Sequence, residues 1–252
     1  MDKDGLITVK LTQSVLMIGL CRPEKKNAIT HAMYTSIREA LESARTDTGV
    51  RVVMIHGSEE FFSSGNDLEE FNRRKPGELS PGAQFLAVLQ QFEKPVLAAV
   101  SGLAVGVGVT LLLHCDLVYA SPETRFRMPF VNLGLCPEAG STLLLPANAG
   151  YRQAAKVLML GDFFDTKTAV ALGLVTESVS GKTLMAHAME QALRLARRPQ
   201  EALLATKRLM KLGLDQQVRE HMPLEFDQFS RLLASPESRE IRARMTTKTP
   251  GS

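Results

Sequence analysis

The sequence contains no tryptophan and only three cysteines among its 252 residues. Cys21, Cys115 and Cys136 lie far apart and form no C-x-x-C pair, which argues against a disulfide framework and favours a reducing compartment. The five histidines also lack the spacing of metal ligands, so we predict no metal site. The first residues contain no apolar signal core and the last contain no targeting motif, so we expect a cytoplasmic protein.

Excess charge of one sign is also scarce. Lys and Arg number 30 against 27 Asp and Glu, which gives a formal net charge of +3 at pH 7. Because basic and acidic residues alternate, we do not expect a nucleic-acid partner, whereas an anionic small molecule is compatible with this charge. Residues 95–113 are uncharged and nearly long enough to span a bilayer, but Pro95, Ser101 and three glycines make a poor spanning helix. We therefore expect no membrane span.

The hydrophobic content is 44%, enough at this length for one substantial core. Short apolar segments alternate with helical patterns over most of the chain, and the pattern from residue 182 onward is entirely helical. We predict an α/β core over residues 1–195 and a helical region over residues 196–252. Helices gathered at one end favour a lid or an assembly surface.

The stretch from Ser101 to Asp116 follows an apolar run that is short enough to be a buried strand. Its glycines predict a tight turn and then a helix that begins near residues 105–108. The first N–H groups of such a helix lack partners within it, so they favour an oxyanion in front of them. Two other interpretations stay open: glycines that only permit close packing, and a dinucleotide-binding loop, although no third glycine follows Gly106 and Gly108 at the required spacing.

A second candidate donor loop lies in residues 61–68, with the sequence FFSSGNDL. Small residues at Ser63, Ser64 and Gly65 follow two aromatic residues and leave backbone N–H groups accessible where a strand ends. An ordinary turn has the same composition. Residues 21–28 carry three positive charges beside a proline, which is compatible either with phosphate binding or with a solvated loop.

Glu138 is a solitary carboxylate among apolar and small residues in the segment 133–141. Apolar surroundings raise the pKa of a carboxyl group by desolvation, and a raised pKa suits a base that works near neutral pH. The alternative is that Glu138 lies in the first turn of a helix and complements the helix dipole.

The other elements follow from periodicity and from capping residues. We predict a hairpin over residues 6–20, an inner strand over 50–56, a mobile loop over 72–82, strands over 95–100, 117–120 and 174–179, and helices over 166–172, 184–196, 201–212 and 215–233. Another helix follows Thr30 as its cap, with an apolar face formed by Met33, Ile37, Ala40, Leu41 and Ala44. Asp165 or Thr166 caps the helix that Gly173 closes.

Six ordered segments resemble the crotonase, or enoyl-CoA hydratase/isomerase, superfamily. They cover most of residues 5–180 and read CRPEKKNAI (21–29), FSSGNDL (62–68), KPVLAAVSGLAVGVG (94–108), CDLVYA (115–120), LGLCPEAG (133–140) and ALGLVTE (171–177). The resemblance implies a spiral of ββα units, a C-terminal helical region that builds trimers or dimers of trimers, and coenzyme A thioester substrates. It implies no separate cofactor, since coenzyme A is part of the substrate.

The resemblance also implies functions for individual residues. Two backbone N–H groups bind the thioester oxygen in this family, and by position they match Ser64 and Val107. Lys25, Lys26 and Ala28 match the loop near the nucleotide and pantetheine. The residues matched to the acyl-CoA path are Gly65, Asn66, Asp67, Leu68 and Gly106. Expected pocket residues are Phe71, Phe85, Phe130 and Leu135, with Phe226 or Phe229 supplied by the same or a neighbouring subunit.

Departures from the family pattern indicate the reaction. Hydratases of this family carry two glutamates at the positions of Thr110 and Phe130, so water addition lacks its usual carboxylates. The peroxisomal-type 3-enoyl-CoA to 2-enoyl-CoA isomerases carry a single glutamate that matches Glu138, although Ala139 replaces their usual glycine. We therefore predict a Δ3,Δ2-enoyl-CoA isomerase. The alternatives are another crotonase activity, such as hydration or hydrolysis of a CoA thioester, and an acyl-CoA-binding protein without catalysis.

Overall fold

The longer inner strands come from short apolar segments that contain valine or isoleucine. The structure is a computed structural model that describes residues 5–73 and 77–247. Within these ranges the strands are β1 (Ile7–Thr12), β2 (Val15–Leu20), β3 (Val52–His56), β4 (Val96–Val100), β5 (Leu103–Val105), β6 (Leu117–Ala120), β7 (Arg125–Arg127), β8 (Phe164–Asp165) and β9 (Glu177–Ser178).

Six of these strands form the main sheet in the order β1-β2-β3-β4-β6-β9. The hairpin β1-β2 is antiparallel, and every later pair in this sheet is parallel. Strands β5, β7 and β8 form a smaller sheet. The predicted strand over 174–179 is limited to β9. Just before β9, Thr176 donates its N–H to the Val118 carbonyl at 2.8 Å, and its hydroxyl accepts from the Val118 N–H at 3.0 Å.

The helices frame these sheets on both sides and at one end. Within the described residues they are α1 (His31–Thr46), α2 (Leu68–Asn72), α3 (Pro81–Gln90), α4 (Val107–Thr110), α5 (Ser141–Ala149), α6 (Tyr151–Leu160), α7 (Thr166–Ala171), α8 (Leu184–Ala196), α9 (Gln200–Leu233) and α10 (Pro236–Thr247). Short 3₁₀ turns cover Pro23–Lys25, Leu111–His114 and Val131–Leu133.

Alternation along the strands divides the core into two clusters. Val53 and Ile55 of β3 face the larger cluster with α1, while Val52 and Met54 face the smaller one, where α8 packs. Burial on both faces explains why β3 is continuously apolar. Among the described residues, no helix has an apolar stretch of the length needed to cross a membrane.

Capping residues set several helix starts as predicted. The Thr30 hydroxyl accepts a 3.2 Å hydrogen bond from the Met33 N–H at the start of α1. Asp165 caps α7, accepting from the Thr168 N–H at 2.8 Å. Ser80 caps α3, which therefore begins inside the predicted loop over 72–82. Residues 74–76 of that loop lie outside the described residues.

The two helices predicted over 201–212 and 215–233 are wrong as separate elements, because α9 runs unbroken for 34 residues. A side chain at Gly213 would meet no heavy atom within 4 Å, so this position is an exposed helical glycine. A glycine in a helix costs only about 1 kcal/mol relative to alanine, and packing elsewhere along α9 overcomes that cost. The same helix also contains Pro223.

Candidate active site

Segment 63–67 lies between two other segments of the same polypeptide, and it is hydrogen-bonded to both. On one side, the Ser63 N–H donates to the Leu103 carbonyl at 3.0 Å, and the Val105 N–H donates to Ser63 at 2.9 Å. On the other side, the Ile29 N–H donates to the Gly65 carbonyl at 2.8 Å, and the Asp67 N–H donates to Ile29 at 2.9 Å. Ile29, on one side of this segment, directly follows the cationic loop 21–28. Val105, on the other side, lies just before α4.

The predicted donor at Ser64 requires correction. Its N–H donates to the Lys26 carbonyl at 2.9 Å, and its hydroxyl donates to the Lys25 carbonyl at 3.2 Å. The Ser64 N–H is therefore used within the protein to hold the cationic loop. It is not available to a thioester oxygen in this arrangement.

Asn66 offers a different N–H group. The bonds from Gly65 and Asp67 point toward Ile29, so strand geometry turns the intervening N–H of Asn66 to the opposite side. Across the described residues, this N–H has no hydrogen-bond acceptor. A side chain at Gly65 would lie 2.9 Å from the Val105 carbonyl oxygen, so the backbones of the two loops approach closely here. The Asn66 side chain accepts from the Tyr34 hydroxyl at 2.7 Å.

Val107 is the first residue of α4, after Gly106 with φ 56° and ψ −120°. This backbone conformation favours glycine, which explains the residue type at the turn. The Gly106 carbonyl accepts from the N–H groups of Val109 and Thr110 at 2.9 and 3.0 Å, so the helix begins inside the predicted range of 105–108. The N–H of Val107 is one of the first-turn donors that a helix leaves without an internal acceptor.

Glu138 lies in a turn three residues before the first residue of α5, and not in the first turn of a helix. The next residues, Ala139 and Gly140, have φ values of 65° and 70°. Glu138 is half-buried and lines a cavity of about 40 Å³. The other residues around this cavity are Ala83, Leu86, Ala139, Met222, Glu225, Phe226 and Phe229.

A family model for enoyl-CoA hydratase/isomerase matches residues 10–249 of this sequence. The chain belongs to the enoyl-CoA hydratase/isomerase family. It is 32% identical over 247 residues to the 2,3-dehydroadipyl-CoA hydratase of Escherichia coli (strain K12), with 97% of each chain covered. It is 36% identical over 212 residues to enoyl-CoA delta isomerase 2 of Rattus norvegicus. That match covers 81% of this chain and 54% of the isomerase, so the chain spans about half the length of this relative.

Solved structures agree with the family assignment. Pseudomonas aeruginosa OdaA is 44% identical with a TM-score of 0.94, and the match covers 97% of this chain and 100% of that chain. A protein from Pseudoalteromonas atlantica T6c described as an enoyl-CoA hydratase/isomerase is 35% identical with a TM-score of 0.91, covering 98% and 99% of the two chains. The predicted crotonase fold with its C-terminal helical region is confirmed.

In this member of the enoyl-CoA hydratase/isomerase family, the aromatic residues of α9 reach the Glu138 cavity from the same chain. Phe226 and Phe229 line it, and the Phe229 ring packs edge-on against Phe71 at 6.0 Å. Phe130 and Leu135 are 5% and 3% exposed and lie in the core, outside the cavity lining. Phe85 packs against Tyr34.

The residues matched to the nucleotide end lie on the surface beside the segment 63–67. Lys25, Lys26 and Leu68 are exposed, whereas Ala28 is buried. The Lys26 ammonium lies 5.8 Å from the centre of the Phe61 ring. Two exposed cations, Lys25 and Lys26, therefore lie next to the candidate donors.

The two positions that the family resemblance matches to the glutamates of hydratases, Thr110 and Phe130, are both buried and uncharged. The Thr110 hydroxyl has no hydrogen-bond partner within the described part of the chain, and Phe130 is apolar. Among the same residues, no cluster of three or more His, Cys, Asp and Glu could hold a metal ion.

Sequence reasoning missed two residues that contact the Glu138 turn. The His114 Nε2 lies 2.8 Å from the Ala139 carbonyl oxygen, and Glu225 accepts from the Gly140 N–H at 2.6 Å. They lie 25 and 85 residues from their partners along the chain. No local pattern in the sequence signals contacts of this kind.

Proposed function

We propose that this protein is a Δ3,Δ2-enoyl-CoA isomerase, which moves the double bond of a 3-enoyl-CoA to the 2-position. Glu138 removes a proton from C2, a dienolate forms, and the same carboxyl group returns the proton at C4. The observation that carries this proposal is the Glu138 carboxyl in a largely apolar cavity whose second carboxylate, Glu225, has both oxygens hydrogen-bonded to the protein. The positions that the family resemblance assigns to the hydratase glutamates hold uncharged Thr110 and Phe130. One base suffices for a proton shuttle and contributes about a hundred- to ten-thousandfold.

The thioester oxygen becomes negative only as the proton leaves, so donors aimed at that oxygen stabilise the transition state selectively. We assign these donors to the N–H groups of Asn66 and Val107. Support comes from the use of the Ser64 N–H by Lys26 and from the close approach of Gly65 to Val105. Each such donor is typically worth about a hundred- to thousandfold in kcat.

Coenzyme A carries phosphates, and Lys25 and Lys26 are the exposed cations beside the donors. We propose that this loop binds the nucleotide end of the substrate, while Phe226 and Phe229 border the acyl end. The test compares an acyl-CoA with the corresponding acyl-pantetheine thioester, which lacks the nucleotide. Lys26→Met is expected to raise KM about fivefold for the CoA thioester and to leave KM for the pantetheine thioester unchanged.

The test of the reaction is Glu138→Gln, assayed with a 3-enoyl-CoA and a 2-enoyl-CoA in parallel. We expect isomerisation to be lost while CoA binding, measured by calorimetry, is nearly unchanged. Glu42→Gln, an exposed residue of α1, serves as the matched control and is expected to keep full activity. Retained turnover in Glu138→Gln excludes Glu138 as the base.

Hydration is the second candidate, because the hydratase relative matches over 97% of both chains. The parallel assay separates the two reactions. An isomerase interconverts the 3-enoyl and 2-enoyl thioesters without a 3-hydroxyacyl product, whereas a hydratase forms that product from the 2-enoyl substrate. Accumulation of 3-hydroxyacyl-CoA as the main product would favour hydration.

We also propose a homotrimeric assembly, alone or in pairs. Large apolar residues on α9 support an assembly surface, since Leu209, Met210 and Leu212 are 64%, 75% and 66% exposed. Light scattering is expected to give three or six times the 27.6 kDa chain mass. A monomer across the micromolar range contradicts this proposal.

A further inference from the structure

The peptide group between Ala139 and Gly140 is held at both of its polar atoms. Its carbonyl oxygen lies 2.8 Å from Nε2 of His114, and its N–H donates to Oε2 of Glu225 at 2.6 Å. His114 follows α4 and Glu225 lies in α9, so side chains from two distant parts of the sequence contact the same peptide group. This plane comes immediately after the residue that bears the candidate base.

His114 is suited to the carbonyl side of this contact. It is 4% exposed, and burial lowers the pKa of its imidazole to about 4. The ring is therefore neutral near pH 7, and one ring nitrogen carries a proton. Because a carbonyl oxygen only accepts, that proton lies on Nε2 and is donated to Ala139.

Glu225 has both carboxylate oxygens occupied. Oε2 accepts from Gly140, and Oε1 accepts from the Thr142 N–H at 2.9 Å and from the Thr142 hydroxyl at 2.5 Å. His221 Nε2 lies 2.7 Å from the same hydroxyl, one turn earlier on α9. Although Glu225 borders the Glu138 cavity, its oxygens are used by the protein, so it acts on the turn and not on the substrate.

The turn needs such support because of its backbone. Ala139 has a φ of 65°, a left-handed conformation that a residue with a Cβ rarely adopts. Strain of this kind persists only where the surroundings over-determine it, and it clusters at active sites. The two hydrogen bonds to the Ala139–Gly140 peptide supply that constraint directly behind Glu138.

We propose that Glu225 and His114 are positioning residues that hold the Glu138 carboxyl in its reactive orientation, an inference that rests on the proposed function of Glu138 as the base. Glu225 supplies the part that comes from α9, and His114 links the turn to the helix that begins at Val107. The base and one oxyanion donor are thus fixed relative to each other through the protein's own hydrogen bonds.

The test compares Glu225→Ala, Glu225→Gln and Lys207→Met with wild type, on whichever acyl-CoA reaction the wild-type protein catalyses. Displacement of a reacting group by about 1 Å costs roughly a hundredfold, so Glu225→Ala is expected to lower kcat about a hundredfold while KM changes by less than about twofold. Glu225→Gln keeps one acceptor oxygen and is expected to recover kcat to within roughly tenfold of wild type.

Lys207 is the matched control within the same helix. It is 6% exposed and its ammonium donates to Asp116 at 2.7 Å, so Lys207→Met also removes a buried polar contact of α9, but far along the helix from Glu225. We expect it to lower stability while leaving kcat unchanged. Amide hydrogen exchange adds a readout that is independent of activity, since the Gly140 N–H is expected to lose protection in Glu225→Ala and not in Lys207→Met.

The outcomes separate this inference from the proposed function. Retained turnover in Glu138→Gln excludes Glu138 as the base and therefore overturns this inference as well. An inactive Glu138→Gln combined with a wild-type kcat in Glu225→Ala overturns the positioning inference alone, as does an equal loss of kcat in Lys207→Met. Should Glu225→Ala fail to fold, Thr142→Val, which removes the hydroxyl that donates to Glu225, decides in its place, and a wild-type kcat in that variant contradicts the inference.

Discussion

The Arg22 guanidinium donates a 2.7 Å hydrogen bond from Nη1 to Oδ2 of Asp67. The same Nη1 donates to the Ala28 carbonyl at 3.1 Å. Arg22 therefore ties the cationic loop to the segment that carries Asn66. Burial favours a higher pKa for Asp67, but the hydrogen bond from Arg22, the N–H groups at the start of α2 and the Arg22 charge together bring that pKa below its ordinary value of 3.8.

This contact predicts a pH-dependent part of the stability. The folded state holds the Asp67 proton less tightly than the unfolded state, so the stabilisation is complete above pH 3.8 and is lost as the pH falls through the lower folded pKa. Asp67→Asn is expected to lower the free energy of unfolding by about 1.5–3 kcal/mol at neutral pH, measured by urea unfolding. The difference from wild type should shrink in acid.

The control for Asp67 is the exposed pair of Arg38 and Glu42, which are 2.9 Å apart on α1. Glu42→Gln is expected to change the free energy of unfolding by no more than about 0.5 kcal/mol. Equal effects of the two substitutions would show that the Arg22–Asp67 contact contributes no more than a surface ion pair.

Val107→Pro tests the proposed oxyanion donor directly, because proline removes the backbone N–H and is tolerated at the first position of a helix. We expect kcat to fall about a hundred- to thousandfold with little change in KM. Val107→Ala shortens the same buried side chain but keeps the N–H, and is expected to retain most of kcat. Similar kcat values in the two variants would exclude this N–H as a donor.

His114→Gln tests the buried imidazole. Burial lowers its folded pKa from 6.5 to about 4, so between these values the unfolded state binds a proton that the folded state does not. The free energy of unfolding should therefore fall as the pH drops from 6.5 toward 4, by up to about 1.4 kcal/mol per pH unit. Glutamine can still donate to Ala139 and does not titrate.

Urea unfolding of wild type and His114→Gln across this pH range gives the comparison. Carboxyl groups contribute equally to both proteins, so the difference between the two slopes isolates His114. We expect a shallower slope in the variant, and parallel slopes would contradict a neutral buried His114.

Gly213→Ala is expected to stabilise the protein by about 0.5–1 kcal/mol, since an added Cβ meets nothing within 4 Å and alanine favours the helix. Gly65→Ala is the opposite case. Gly65 has a φ of 96°, and its Cβ would lie 2.9 Å from the Val105 carbonyl oxygen, so we expect a clear loss of stability. Thermal unfolding of both variants measures the contrast, and a stabilising Gly65→Ala would contradict the close approach of the two loops.

Local signals in the sequence were sufficient for much of the fold. The apolar run of β3, the Thr30 cap of α1 and the glycine turn before Val107 each depend on neighbouring residues, so periodicity and capping predict them. The predicted break between residues 212 and 215 was wrong, because the local preference of Gly213 to end a helix is weaker than the packing that holds α9. Tertiary contacts of that kind are not visible in a window of sequence.

In the site, too, some features follow from local sequence and others depend on tertiary contacts. The turn that bears Glu138 and the two candidate donor loops were predicted from composition and motif. Which N–H groups stay unused was not predicted, because the hydrogen bond from the Ser64 N–H to the Lys26 carbonyl depends on the folded loop. The hydrogen bond from the Gly140 N–H to Glu225 joins residues 85 positions apart, and sequence composition cannot predict such a contact.

The single span of α9 has a consequence for protein synthesis. In its first half Lys207 donates to Asp116, the residue before β6, and its second half carries Glu225 to the Glu138 turn. The ribosome releases this helix after every strand of the sheet, and domains fold as they emerge. A nascent chain can therefore form both loops before Glu225 is available to hold the Glu138 turn. A chain that ended upstream of residue 225 would lack this support and would also lack Phe229 and Leu233 of the core.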